Sequence, residues 1–291
     1  MFKKTTILIT AMLFVLNPAS ACDIAGDGQS GFLPENDLNI GVHDKFRNDM
    51  TEERFNEIID RVDKHYRPIV KSHGGKLKWS RGWDDGTVNA SAQRFFWTWK
   101  INMYGGLARH SLVTDDAFAM VVCHEMGHHL GGAPKVGGFL MKWASNEGQS
   151  DYFASLKCFR RVFESDDNEK IVSEMKVPEL VKEKCADSYS LANDVALCVR
   201  SAMAGESLAK LLGSLRGNTN IDFATPDTKV VSKTDNKHPA AQCRLDTYFQ
   251  GAICDKRLSD NVSNDDATAG TCNRSFGYDQ GVRPLCWYKP E

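Results

Sequence analysis

The segment His124-Glu125-Met126-Gly127-His128 carries the clearest chemical signal in the chain. On a helix, residues four apart point within about 40° of each other and lie about 6 Å apart along the axis. Two imidazoles so placed can converge on one zinc ion, and Glu125 beside them can reach a water that the ion activates. A zinc site of this kind takes a third protein ligand and leaves one position open. The segment Asn146-Glu147-Gly148-Gln149-Ser150-Asp151 offers that ligand in Glu147. Asp151, four residues on and so on the same helical face, is placed to accept a hydrogen bond from the far nitrogen of a ligand histidine. His129 lies about 100° round the helix from His128 and is not expected to bind the same ion.

The elements that must hold these groups are legible as patterns. Thr114 and Asp115 open a helix that Gly131-Gly132 stops, with the histidines inside it. A second helix, from about Ser145 to Val162, would carry Glu147 and Asp151. Upstream, Phe55, Ile58, Ile59, Val62, Tyr66 and Ile69 recur at helical spacing behind a Thr51 cap. Leu77 to Trp79 reads as a short strand. Residues 88–104 read as a β region with Phe95, Trp97, Trp99, Ile101 and Met103 on one apolar face, an aromatic cluster expected in the core. Helices are expected over 178–186 and 188–212, and another starting at Pro239 with Arg244, Leu245 and Phe249. The fold class expected is α+β and mainly helical, with a small antiparallel sheet beside the motif helix.

Glutamate as third ligand defines the gluzincins, and here the residues resemble a known family. Asn146–Asp151 resembles the N-E-x-x-S-D element of thermolysin-like peptidases. The wider layout resembles the HtpX and CAAX-prenyl-protease superfamily: Asn89-Ala90, the Gly105-Gly106-Leu107 bend, the acidic helix start, the two histidines, then Glu147 with Asp151. His238-Pro239 and Arg244 fit the late His-Pro and Arg of that family. The match covers about residues 88–155 well and 238–245 loosely. The chain departs from it in having no transmembrane helices, abundant cysteines and a short gap between His128 and Glu147. The resemblance implies a zincin-type domain in which His124, His128 and Glu147 hold one zinc ion, Glu125 is the general base, and His238 and Arg244 lie near the site. It also implies that an extended peptide pairs with an edge strand at Asn89-Ala90. From the residues alone, His238, Arg244, Tyr104 and Tyr152 all remain candidates for stabilising the oxyanion.

The rest of the composition sets the setting. Formal net charge is −2, with 36 basic and 38 acidic residues mixed throughout, so neither a nucleic-acid footprint nor a membrane-surface patch is expected. Lys3-Lys4, the apolar run Ile7–Leu16 and Ala19-Ser20-Ala21 read as a secretory signal over residues 1–21, with lipid anchoring at Cys22 as a lesser option. Residues 22–291 are then one domain whose part from 214 onward is rich in loops and cysteines. Nine cysteines suit an exported protein, periplasmic or secreted, and no C-x-x-C pair offers a thiolate zinc site. The odd count leaves at least one unpaired, and Cys123, inside the apolar motif helix, is the expected free thiol. The expectation is a zinc-dependent endopeptidase acting on protein or peptide. The alternative is an envelope binding or chaperone-like protein with a metallopeptidase fold and a closed or structural zinc site.

Overall fold

The computed structural model describes residues 19–21, 31–138 and 141–290. The expected leader lies outside these apart from Ala19–Ala21, and so does Cys22. Among the described residues no helix is long and apolar enough to cross a membrane.

Strand β1 is Ala19–Ser20. Helix α1, Glu52–Ser72, is capped by Thr51, whose hydroxyl accepts from the Arg54 amide, and Glu52 and Glu53 suit its positive end. Its Phe55, Ile58, Ile59, Val62 and Tyr66 are buried at the spacing read from the sequence, and Val70 is buried where Ile69 was expected, Ile69 being half-buried. Each such side chain contributes about 1.5–3 kcal/mol by leaving water. Strands β2 (Lys76–Gly82), β3 (Ala90–Phe95) and β4 (Thr98–Tyr104) follow. The sheet order is β1-β3-β4-β2. β3 and β4 form an antiparallel hairpin, β2 runs parallel to β4, and β1 is antiparallel to β3.

The hairpin corrects the reading of one apolar strand face. Phe96 turns the chain at φ 51. A left-handed turn normally signals itself with Gly or Asn, and here an aromatic run hides it. A two-residue turn also reverses which face a given parity occupies, so Trp99 pairs with Arg94 and is buried, whereas Phe95, Phe96 and Trp97 are 41%, 64% and 67% exposed. Phe95, Phe96 and Trp97 are therefore an exposed hairpin tip, while Trp99, Ile101 and Met103 pack in the core as expected.

After the short helix α2 (Gly105–Ala108) comes α3, Asp115–Leu130, capped by Thr114. It is buried on every side from Asp116 to His129, so it forms the central helix of the fold. A two-stranded hairpin, β5 (Lys135–Gly138) and β6 (Met141–Ser145), leads into α4, Glu147–Phe153. That helix continues through a π-helical segment, Ala154–Phe159, into α5, Arg160–Phe163. Helices α6 (Asn168–Ser173), α7 (Glu179–Ser188), α8 (Ala192–Leu215) and α9 (Ala241–Ala252) complete the helical layer. Arg200 on α8 grips the start of α3 through two hydrogen bonds to Asp116, at 3.0 and 2.7 Å. With 44% helix, a four-stranded sheet and a two-stranded one, the chain is α+β, and the parallel β2–β4 pair makes the larger sheet mixed where an antiparallel one was expected.

The cysteine reading needs correction too. Cys123 is not free. It bridges to Cys158, which ties α3 to the π-helical segment. The other bridges are Cys185–Cys198, Cys243–Cys286 and Cys254–Cys272. An apolar helical setting reports burial, and a buried thiol with a partner brought alongside by packing is a disulfide.

Candidate metal centre

α3 and α4 cross so that the two sequence elements meet. His124 Nε2, His128 Nε2 and a Glu147 carboxylate oxygen belong to one buried group of ligand atoms, all within 4.8 Å of one another. Glu147 Oε2 lies 3.3 Å from His124 Nε2, and Oε1 lies 3.6 Å from His128 Nε2. Bonds of about 2.0–2.1 Å in a tetrahedron would place neighbouring ligand atoms about 3.3 Å apart, so the spacing suits a shared ion. His124 Nε2, His128 Nε2 and both oxygens of Glu147 are buried without a hydrogen-bond partner, as are both oxygens of Glu125. Orphaned atoms in such number are costly unless a cation or water satisfies them.

The rings are oriented from behind. His124 Nδ1 donates to Asp151 Oδ1 at 2.7 Å, and His128 Nδ1 donates to the Ser145 carbonyl at 2.9 Å. With Nδ1 carrying the proton, each Nε2 presents a lone pair to the shared point. Asn146 sets the start of α4 by accepting from the Gln149 amide at 2.9 Å, which makes Glu147 the first helical residue. Gly148 next to it is packed flat against Trp287: an added Cβ would lie 2.3 Å from the ring. Trp287 is fixed by a hydrogen bond to Thr247 and by the adjacent Cys243–Cys286 bridge. Gly148→Ala is therefore expected to cost about 1–3 kcal/mol in urea unfolding and to weaken metal retention through the displaced Glu147.

Charge around the shared point also suits a divalent cation. Glu125, Glu147 and Asp151 are fully buried there against one buried guanidinium, Arg244. Against burial, His238, His128 and His124 hold the Glu147 carboxyl well below its ordinary range. Burial, with the nearby Glu147 carboxylate adding to it, pushes the Glu125 carboxyl up to about 8. Burial also pushes the His128 imidazole down to about 4, against the pull of the Glu147 carboxylate.

Arg244 on α9 lies against this group, but not as a free cation. It makes two hydrogen bonds to Asp151, at 2.7 and 2.6 Å, and its Nη1 donates to the Phe32 carbonyl at 3.0 Å. Tyr248, four residues on along α9, donates to Asp151. Sequence reading missed Tyr248, although its i+4 spacing from Arg244 was the available signal. His238 Nε2 lies 3.3 Å from Glu147 Oε2 but outside the group of mutually close ligand atoms. Tyr152 is turned away, its hydroxyl bound to the Gly281 carbonyl. Tyr104 remains half-buried, its phenol raised by burial, with the Asp85 and Glu125 carboxylates adding to the shift. His129 is stacked between Trp99 and Trp143, away from the ion position.

Comparison with family models, with curated proteins and with solved structures finds no match in any of the three.

Proposed function

We propose that the chain is a zinc-dependent endopeptidase of gluzincin type, exported and disulfide-stabilised. The observation that carries this reading is the convergence of three orphaned ligand groups, two imidazoles and one carboxylate, with a fourth orphaned group, Glu125, one residue from the first imidazole. Two nitrogens and one carboxylate are the donor set of catalytic zinc, whereas a structural site would be closed by four protein ligands. When bound, zinc would act as a Lewis acid and bring the pKa of a water toward about 7.

The chain's own residues supply the rest. Glu125 takes a proton from water and hands it to the leaving amine, and its raised pKa suits both acts near neutral pH. His238, beside Glu147, is the donor placed to stabilise negative charge on a peptide carbonyl oxygen. Arg244 and Asp151 are positioning residues that hold the His124 ring. The four disulfides accord with export, the setting in which such bridges persist.

One observation favours the second reading, a closed site. His124, Glu125, His128 and Glu147 are each no more than 1% exposed, and Phe32 stands edge-on against the His124 ring. Metal removal separates the cases. Purified protein is expected to carry one zinc per chain and to hydrolyse a casein-type substrate. Chelation abolishes hydrolysis, and added zinc restores it. Zinc held at 100 times its dissociation constant adds about 2.7 kcal/mol, so chelation also lowers the melting temperature by roughly 5–10 °C. Zinc-loaded protein without any hydrolysis would leave the closed, non-catalytic reading.

A further inference from the structure

What covers the site is a piece of the chain itself, held as a peptide. Gly31-Phe32-Leu33 is fully buried between β3 and α9. The Phe32 amide donates to the Ala90 carbonyl at 2.9 Å. The Leu33 amide donates to Asn89 Oδ1 at 2.9 Å, and Asn89 Nδ2 returns a bond to the Leu33 carbonyl at 3.2 Å. The Phe32 carbonyl accepts from Arg244, and its ring lies under the same guanidinium at 4.3 Å. The Gly31 carbonyl oxygen is 3.0 Å from His238 Nε2, the nitrogen that also sits 3.3 Å from Glu147. Every backbone polar group from the Gly31 oxygen to the Leu33 oxygen is thus engaged, by the edge residues Asn89 and Ala90 and by His238 and Arg244 beside the ligands.

Among the described residues the chain keeps one direction along this edge. Upstream, in the chain before its expected leader is removed, β1 pairs antiparallel with β3 through Ala19↔Arg94 and Ser20↔Gln93. Downstream, Asn39 bridges Thr87 in the same sense, and the Ile40 amide donates to Gly86. A loop packed only for stability could satisfy its backbone anywhere. This one places a single peptide bond, Gly31–Phe32, with its carbonyl at His238 and its amide nitrogen at the edge strand. The bond also fits by size, since a Cβ on residue 31 would lie 2.4 Å from Asn89 Oδ1.

Resting on the peptidase reading, we propose that the Gly31–Phe32 bond is the site's first substrate, cut by the chain's own metal centre. Water adds across the amide: its oxygen joins the Gly31 carbonyl carbon, the C–N bond breaks, and Glu125 carries the water's two protons in turn to the Phe32 nitrogen. The products are a Gly31 carboxylate and a Phe32 ammonium facing the Ala90 carbonyl. Residues up to Gly31 are then free to leave, and the remaining chain starts at Phe32.

The test is the intact mass and N-terminal sequence of the full chain expressed with zinc, beside Glu125→Gln and Gly31→Val. Wild type is expected to begin at Phe32. Glu125→Gln is expected to keep the residues before it while retaining zinc, and Gly31→Val, with full zinc content, is expected to lose the cut. A wild-type chain that begins at Cys22, or a Phe32 start in Glu125→Gln as well, overturns the proposal, as does normal processing of Gly31→Val. Casein hydrolysis separates the two levels. Glu125-dependent hydrolysis with an intact Gly31–Phe32 bond removes only self-cleavage. If zinc-loaded protein cuts neither casein nor itself, both readings fall.

Discussion

A Glu125→Gln chain is expected to keep one zinc and the wild-type fold, and to hydrolyse a casein-type substrate about a thousandfold more slowly. A positioned general base is worth roughly 10²–10⁴ in rate. The variant keeps the shape of the side chain and loses only the proton acceptor. Glu125 is not among the three mutually close metal-ligand groups, so metal content should hold. Stability should hold as well. Both carboxylate oxygens are buried with no hydrogen-bond partner, so no bond is broken, and a neutral amide is easier to bury than a carboxylate. The measurements are zinc content per chain, melting temperature and initial hydrolysis rate on the same preparation. Wild-type rate in this variant would show that another group takes the proton.

The second large effect lies behind the ligands. Arg244→Met is expected to destabilise the fold by about 3–5 kcal/mol, because it removes the guanidinium paired with the fully buried Asp151 carboxylate and leaves that charge only the Tyr248 and His124 donors. It should also weaken zinc binding about 10–100-fold, since Asp151 orients the His124 ring. The pH dependence has a definite sign. Against burial, Arg244 and His124 hold the Asp151 carboxyl below its ordinary value. The stability this provides is complete above the ordinary Asp value, about 3.9, and is lost as pH falls below it. Arg244→Met should flatten that acid limb. Urea unfolding at pH 7 and at pH 3, with zinc competition against a chromophoric chelator, reads both effects. A change within about 0.5 kcal/mol would mean that the pair is not what holds α9 against α4.

How much of this was legible in the sequence depends on the range of the interaction. His124 and His128 on one helix, and Glu147 and Asp151 on another, are set by helical periodicity, which acts over four residues. Their convergence and an acceptor role for Asp151 behind one ring were expected, and the Ser145 carbonyl that accepts from the His128 ring is what the crossing helices add. Arg244 was expected near the site, but its lock onto Asp151 spans 93 residues, and no local pattern encodes that. The Cys123–Cys158 bridge failed in the same way: the surroundings of Cys123 in sequence are apolar helix, and its partner arrives only when the π-helical segment packs beside it. The hairpin tip at Phe96 was hidden by its own residue types, since period-two alternation runs through the turn without a break. Phe32 and Leu33 gave no signal at all. Two apolar residues in a loop-rich entry become informative only once Asn89, Ala90 and Arg244 are seen around them.

The most direct test is anomalous diffraction from crystals of the Glu125→Gln chain, collected on either side of the zinc absorption edge. One strong peak is expected about 2.0–2.2 Å from His124 Nε2, His128 Nε2 and a Glu147 oxygen, with solvent or the Gly31 carbonyl in the remaining position. A peak elsewhere, or zinc-soaked crystals with none between those three side chains, would contradict the shared ion on which the chemistry depends.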